Sequence, residues 1–238
     1  MIQLVPTAIA SPITFAQTGQ TTNAPQFTIM NSGGIVTIGA SGQNFFTYLV
    51  GGTPFAAPVL ANFALNATST QPGMCASMAC STGDSFSEQG YTGSFSYTVA
   101  GGAYIGQNLL SGTFTVNGTP INSGGKFTST GGGTGAGYSG TQTAANLNGI
   151  LMTSDFLNFA GVTVETGSWA LSGLNPQFVV NATLNQNSIP LDGTNAVASN
   201  VATFSALAPT AVPEPATLAL MGTALLGLGL IRRKRLIR

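Results

Sequence analysis

Six carboxylates, two thiols and no imidazole bound the chemistry open to this chain. Without histidine, every mechanism that uses imidazole as base, proton shuttle or metal ligand is excluded. Gly83-Asp84-Ser85-Phe86 could present a nucleophilic serine, but the histidine base that would activate it is missing. Paired acids are the surviving catalytic option. Asp84, Glu88, Asp155 and Glu165 could supply the two carboxyls of a secreted glycoside hydrolase or lyase. Nothing in their spacing brings two of them together, so isolated solvated acids are the plainer expectation. Asp84 and Glu88 could share a calcium ion only if carbonyls made up most of its roughly six to eight oxygens. Cys75 and Cys80 enclose a loop short enough for a local disulfide, and two cysteines alone cannot complete a zinc site. Neither metal nor cofactor is therefore expected.

Aromatic residues are the other candidates. Trp169 alternates with Leu171 and reads as a core anchor in preference to a sugar-stacking platform. Tyr91, Tyr104 and Tyr138 lie in or near glycine-rich turns and are the better sugar candidates. Gly135-Ala136-Gly137-Tyr138-Ser139-Gly140 has the letters of a dinucleotide fingerprint, but no clean strand precedes it and no helix follows, so a flexible loop is expected. The sequons at Asn66, Asn117 and Asn181 read as chance in an Asn/Thr-rich chain.

These groups sit in an unusual solvent-facing composition. Only 5% of the 238 residues are charged, where ordinary soluble domains carry roughly 25%. Lys126 is the one cation before residue 212, set against Asp84, Glu88, Asp155, Glu165 and Asp192, which leaves residues 1–211 at −4. Such a body cannot form the basic stripe that nucleic-acid binding needs. At 43% hydrophobic, it is too apolar for disorder, and its 32 glycines argue against a helical bundle.

A two-residue period runs through the body. Phe95, Tyr97 and Val99 alternate with Ser94, Ser96 and Thr98; Phe114 and Val116 alternate with Thr113 and Thr115; Val59, Ala61, Phe63 and Leu65 share a face. Further strands are expected over 26–30, 35–39, 45–50, 156–164, 168–172, 177–184 and 197–204, with turns at Gly33-Gly34, Gly51-Gly52, Gly101-Gly102, Asn117-Gly118 and Asp192-Gly193. The pattern predicts an all-β protein, an antiparallel β-sandwich or jelly roll over 17–204, followed by a linker over 205–211. Residues 1–16 read either as the remnant of a signal peptide that lacks its basic front, ending near Ala8-Ile9-Ala10, or as a first strand over 2–5 and a loop.

The C-terminal segment is ordered in three parts. Val212-Pro213-Glu214-Pro215 is biased toward an extended, accessible conformation by its two prolines. Residues 216–231 carry no charge and, as a helix, would reach about 24 Å, short of a hydrocarbon core of about 30 Å unless the bilayer thins and arginines snorkel. Arg232, Arg233, Lys234 and Arg235 follow as a stop-transfer cluster that should stay cytoplasmic, so the body faces outward.

In motif, order and terminal position, residues 212–238 resemble the PEP-CTERM sorting signal of exported bacterial proteins. That resemblance covers 27 of 238 residues. It implies recognition at residues 212–215 by exosortase, a membrane-embedded cysteine protease, transient anchoring in the inner membrane by a transmembrane helix over 216–231, and release to the cell surface. Bearers of the signal usually occur in bacteria that make exopolysaccharide. The expected function is an exported, non-catalytic surface or matrix protein associated with extracellular polysaccharide or biofilm; the alternative is the secreted glycoside hydrolase or lyase.

Overall fold

Side chains that alternate between apolar and hydroxyl give a strand one face to bury and one to solvate. The computed structural model describes residues 11–21, 26–70, 88–115, 124–130, 135–142, 150–162, 164–175, 179–181, 186–188, 195–207 and 210–211, and among them every regular element is a strand. In chain order these are β1 (Ile13–Gln20), β2 (Gln26–Ser32), β3 (Ile35–Tyr48), β4 (Val59–Ser69), β5 (Glu88–Val99), β6 (Asn108–Phe114), β7 (Gly124–Thr130) and β8 (Gly135–Gln142). They continue as β9 (Ile150–Thr153), β10 (Leu157–Asn158), β11 (Glu165–Asn175), β12 (Val179–Asn181), β13 (Gln186–Ser188), β14 (Asn195–Ala206) and β15 (Thr210–Ala211). No helix among the described residues is long and apolar enough to cross a membrane; the segment 216–231, expected to do so, lies outside them.

The all-β, antiparallel expectation holds, and among the described residues the strands form one eleven-stranded sheet and two two-stranded ones, β10 with β15 and β12 with β13. Pairings in the eleven-stranded sheet close a circuit, from β2 through β3, β4, β5, β7, β8, β11 and β14 back to β2. Long strands make this possible by serving two neighbours on one side. β3 pairs with β2 through Ser41 and with β1 from Asn44 onward. β5 pairs with β7 as far as Tyr91 and with β6 from Gly93, while β14 passes from β2 to β1. Closure suits a body with one lysine. Open edges are usually defended by charge, and a closed sheet has few to defend.

The strand faces follow the predicted parity. Ala61 and Phe63 are buried and Val59 and Leu65 half-buried, while Leu60, Asn62 and Ala64 point out; Phe95, Tyr97, Val99 and Phe114 are buried. Inside, Trp169 meets Phe95 edge-on at 4.7 Å and donates its indole N–H to the Tyr97 hydroxyl at 2.8 Å, as a core anchor should. Phe95 stacks on Phe204 at 5.4 Å, and Tyr97 stacks on Phe63 at 4.8 Å. Gly33-Gly34, both with positive φ, link Ser32 to Ile35 in a two-residue hairpin, a geometry that glycine enters without strain.

Several boundaries differ from expectation. Segments 35–39 and 45–50 merge into β3, and the strand expected over 156–164 shrinks to β10 because Ala160-Gly161 turns the chain, with Gly161 at φ 79°. The loop expected over 135–140 is a strand, β8, because β7 and β11 hydrogen-bond it from both sides and so supply the order its glycines lack. β1 begins at Ile13, with Phe15 and Ala16 fully buried, so residues 13–16 belong to the body. β14 runs to a fully buried Ala206, two residues into the expected linker. The strand considered at 2–5 and the turns at Asn117-Gly118 and Asp192-Gly193 lie outside the described residues.

Candidate functional site

The body hands over to its C-terminal segment at one end of the sheet, where β9, β10, β11 and β15 meet. β9 stops at Thr153, and the Ser154 hydroxyl accepts the Phe156 and Leu157 N–H groups at 3.0 and 3.2 Å, turning the chain. Asp155 fixes this turn to β6: its N–H donates to the Asn108 carbonyl at 2.9 Å, and its Oδ2 accepts the Asn108 N–H at 2.8 Å. Tyr48, 3.2 Å from the Ser154 hydroxyl, donates to the Leu109 carbonyl at 2.5 Å, and burial pushes its phenol above the usual range. Phe55, Tyr104 and Phe156 pack edge-on at 4.8 to 5.7 Å and plug this end.

Leu157 and Asn158 then pair antiparallel with Ala211 and Thr210. Asn158 Oδ1 accepts the Ala160 N–H at 2.9 Å, and the Val162 N–H reaches the Phe159 carbonyl at 3.0 Å, so the chain reverses into β11. Beside this bridge lies a cavity of about 480 Å3, lined by Met152, Ser154, Leu157, Phe159, Val162 and Glu165 among others.

Glu165 is the unusual group. Only 1% exposed, its carboxylate Oε2 accepts the Met152 N–H at 2.5 Å and so ties β9 to β11, which no ladder pairing joins. Burial pushes its carboxyl up to about 7, partly opposed by that N–H donor. A raised carboxyl favours the folded state only while protonated. The resulting stability is fully present below about pH 4.5 and is lost as pH rises through about 7, a change of about 3 kcal/mol for a shift of this size. Glu165→Gln keeps an acceptor for Met152 and removes the charge. Its unfolding free energy from urea titration should match the parent near pH 4.5 and exceed it at pH 8 by up to about 3 kcal/mol, with a correspondingly higher urea midpoint. Equal parent and variant midpoints at pH 8 would contradict this role.

The other described sequence candidates lie on different elements. Asp155 is exposed and spent on its turn, Glu88 opens β5, and Asp84 lies outside the described residues, as do Cys75 and Cys80 with their expected disulfide. Among the described residues no group of three or more acids and cysteines could hold a metal. Of the sugar candidates, Tyr91 is corrected: it is fully buried, because it shares the inward parity of Phe95 and Tyr97. Tyr104 is half-buried in the end plug, and the Tyr138 side chain is outside the described set. Sequence reasoning missed Phe45. It is 44% exposed on the outer face, cross-strand from Gly19, beside a cavity of about 430 Å3 that Gln17, Thr47 and Pro58 also line. The signal was present, since two adjacent phenylalanines on a strand must point to opposite faces.

Compared with known proteins, residues 211–235 match the family model of the PEP-CTERM protein-sorting motif. No curated protein and no solved structure matches the chain. The expected cleavage motif at 212–215 and the basic cluster at 232–235 fall within the matched residues, although their structure lies outside the described set.

Proposed function

We propose, on the premise that this chain carries a PEP-CTERM protein-sorting motif, that it is exported, held at the inner membrane by residues 216–231, cut by exosortase near residues 212–215, and released as a non-catalytic matrix protein that associates with neutral exopolysaccharide. The sorting motif carries the exported, exosortase-targeted part of this reading.

The polysaccharide part rests on the surface chemistry. Outward side chains pair across strands through neutral groups: Thr14 with Ser205 at 3.0 Å, Ser111 with Thr153 at 2.9 Å, Ser168 with Thr203 at 2.8 Å, and Gln43 with Asn62 at 3.2 Å. Hydroxyls and amides can exchange these bonds for bonds to sugar without the desolvation cost an ion incurs. Phe45 offers an apolar ring among them. A glycan array probed with the released protein should show binding to neutral polysaccharides that weakens in Phe45→Ala; no binding to any glycan would remove this part of the proposal.

The hydrolase alternative has one observation in its favour, the raised carboxyl of Glu165 beside a cavity. Against it, the described Asp155 and Glu165 carboxylates each hold a backbone N–H, a structural use for both. Release of reducing ends from a bound glycan, abolished by Glu165→Gln, would favour the alternative.

A further inference from the structure

The bridge between β10 and β15 bears on how the sorting motif can be reached. Leu157 pairs with Ala211 and Asn158 with Thr210, and the matched motif begins at residue 211. Ala211 therefore belongs both to the folded body and to the sorting motif, and Val212 follows it directly. β10 is firmly held, with Phe156 and Leu157 buried and their N–H groups on Ser154. The chain is tied again just upstream, where the Leu207 N–H donates to the Val164 carbonyl at 3.1 Å.

A protease that takes an extended substrate needs several consecutive residues free of other backbone partners. With β15 paired, Pro213 follows two residues after Ala211, the last paired position among the described residues, a reach of about 7 Å. With β15 peeled away and the chain held at Leu207, Pro213 stands six residues out, a reach of about 20 Å. A two-residue ladder is the kind of element that opens by local unfolding while the rest of a sheet stays closed.

We propose that β10 is a clamp on the sorting motif: it holds Thr210 and Ala211 against the body, and cleavage proceeds through the state in which this bridge has opened. The proposal rests on the reading of the tail as an exosortase substrate. It assigns Leu157 and Asn158 a positioning role in processing, at a site on the body remote in sequence from the motif.

Locking and loosening the bridge in the full-length chain tests it. Asn158→Cys together with Thr210→Cys places cysteines at directly paired positions, where Cα separations of about 4.5–5.5 Å suit a disulfide. In exosortase-positive cells, pulse-chase should show the oxidised double variant released at least about tenfold more slowly than the parent, with a reductant restoring the parent rate and so showing that the variant is folded. A flexible Gly/Ser spacer of about six residues between Ala211 and Val212 should speed release severalfold, since it extends the motif without opening the bridge. Release of the oxidised variant at the parent rate, or a spacer without effect, overturns the clamp. Parent protein that is never cut in exosortase-positive cells would instead overturn the reading of the tail.

Discussion

Gly93→Ala is expected to destabilise the body by about 3 kcal/mol, at the upper end of ordinary overpacking. A Cβ at this position would lie 2.2 Å from the backbone carbonyl oxygen of Asn66 and 2.6 Å from the Ala67 Cα. No rotamer change can relieve a clash with backbone, so β4 and β5 must separate where Gly93 faces Ala67. Here β5 also passes from β7 to β6, and Gly93 begins the β6 pairing opposite Phe114. The melting temperature should fall by roughly 6–12 °C for a domain of this size. Gly19→Ala is the control. With nothing within 4 Å of its added Cβ, it should stay within about 0.5 kcal/mol of the parent. Equal melting temperatures for Gly93→Ala and the parent would show that β4 and β5 do not approach as closely as described.

Much of this architecture is written in local parity. The alternation around Phe63, Phe95 and Tyr97 already assigns faces, and Trp169 reads as core from its neighbours alone. The same parity, carried further, would have placed two misjudged residues. Tyr91 keeps step with Phe95 and Tyr97, and Glu165 keeps step with Gly167 and Trp169, so both face inward. Composition outweighed parity in those cases: a tyrosine near glycines suggested an exposed ring, and a lone glutamate suggested solvent.

Closure of the sheet was not legible, because it depends on register over long distances. Nothing local in residues 35–48 says that one half of β3 will pair with β2 and the other with β1. Pairing of residues 157–158 with 210–211 is equally non-local, with only two residues on each side to signal it. The sorting motif lies at the other extreme. Its recognition depends on short-range order in the sequence, proline pair, apolar run and basic cluster, and the family match covers that order directly.

Replacing Pro213, Glu214 and Pro215 together with alanine should reduce release to background while leaving membrane insertion intact. The apolar run and the four basic residues at 232–235 are untouched, so the proposed stop-transfer orientation should be retained. What changes is the proline pair, whose fixed φ biases the proposed recognition segment toward an extended conformation. Full-length protein should accumulate in the membrane fraction. Neutralising Arg232, Arg233, Lys234 and Arg235 should act earlier, by weakening the orientation itself. Normal release of the triple-alanine variant would show that residues 213–215 do not direct cleavage.

The most direct measurement is intact-mass spectrometry of the protein collected outside exosortase-positive and exosortase-deficient cells. From positive cells, the chain should end at or near residues 212–215, having lost Arg232, Arg233, Lys234, Arg235 and Arg238, five of its six cations, and with them about four to five units of net positive charge. Deficient cells should retain the full-length chain in the membrane. An intact C-terminus ending in Arg238, recovered outside exosortase-positive cells, would contradict the account.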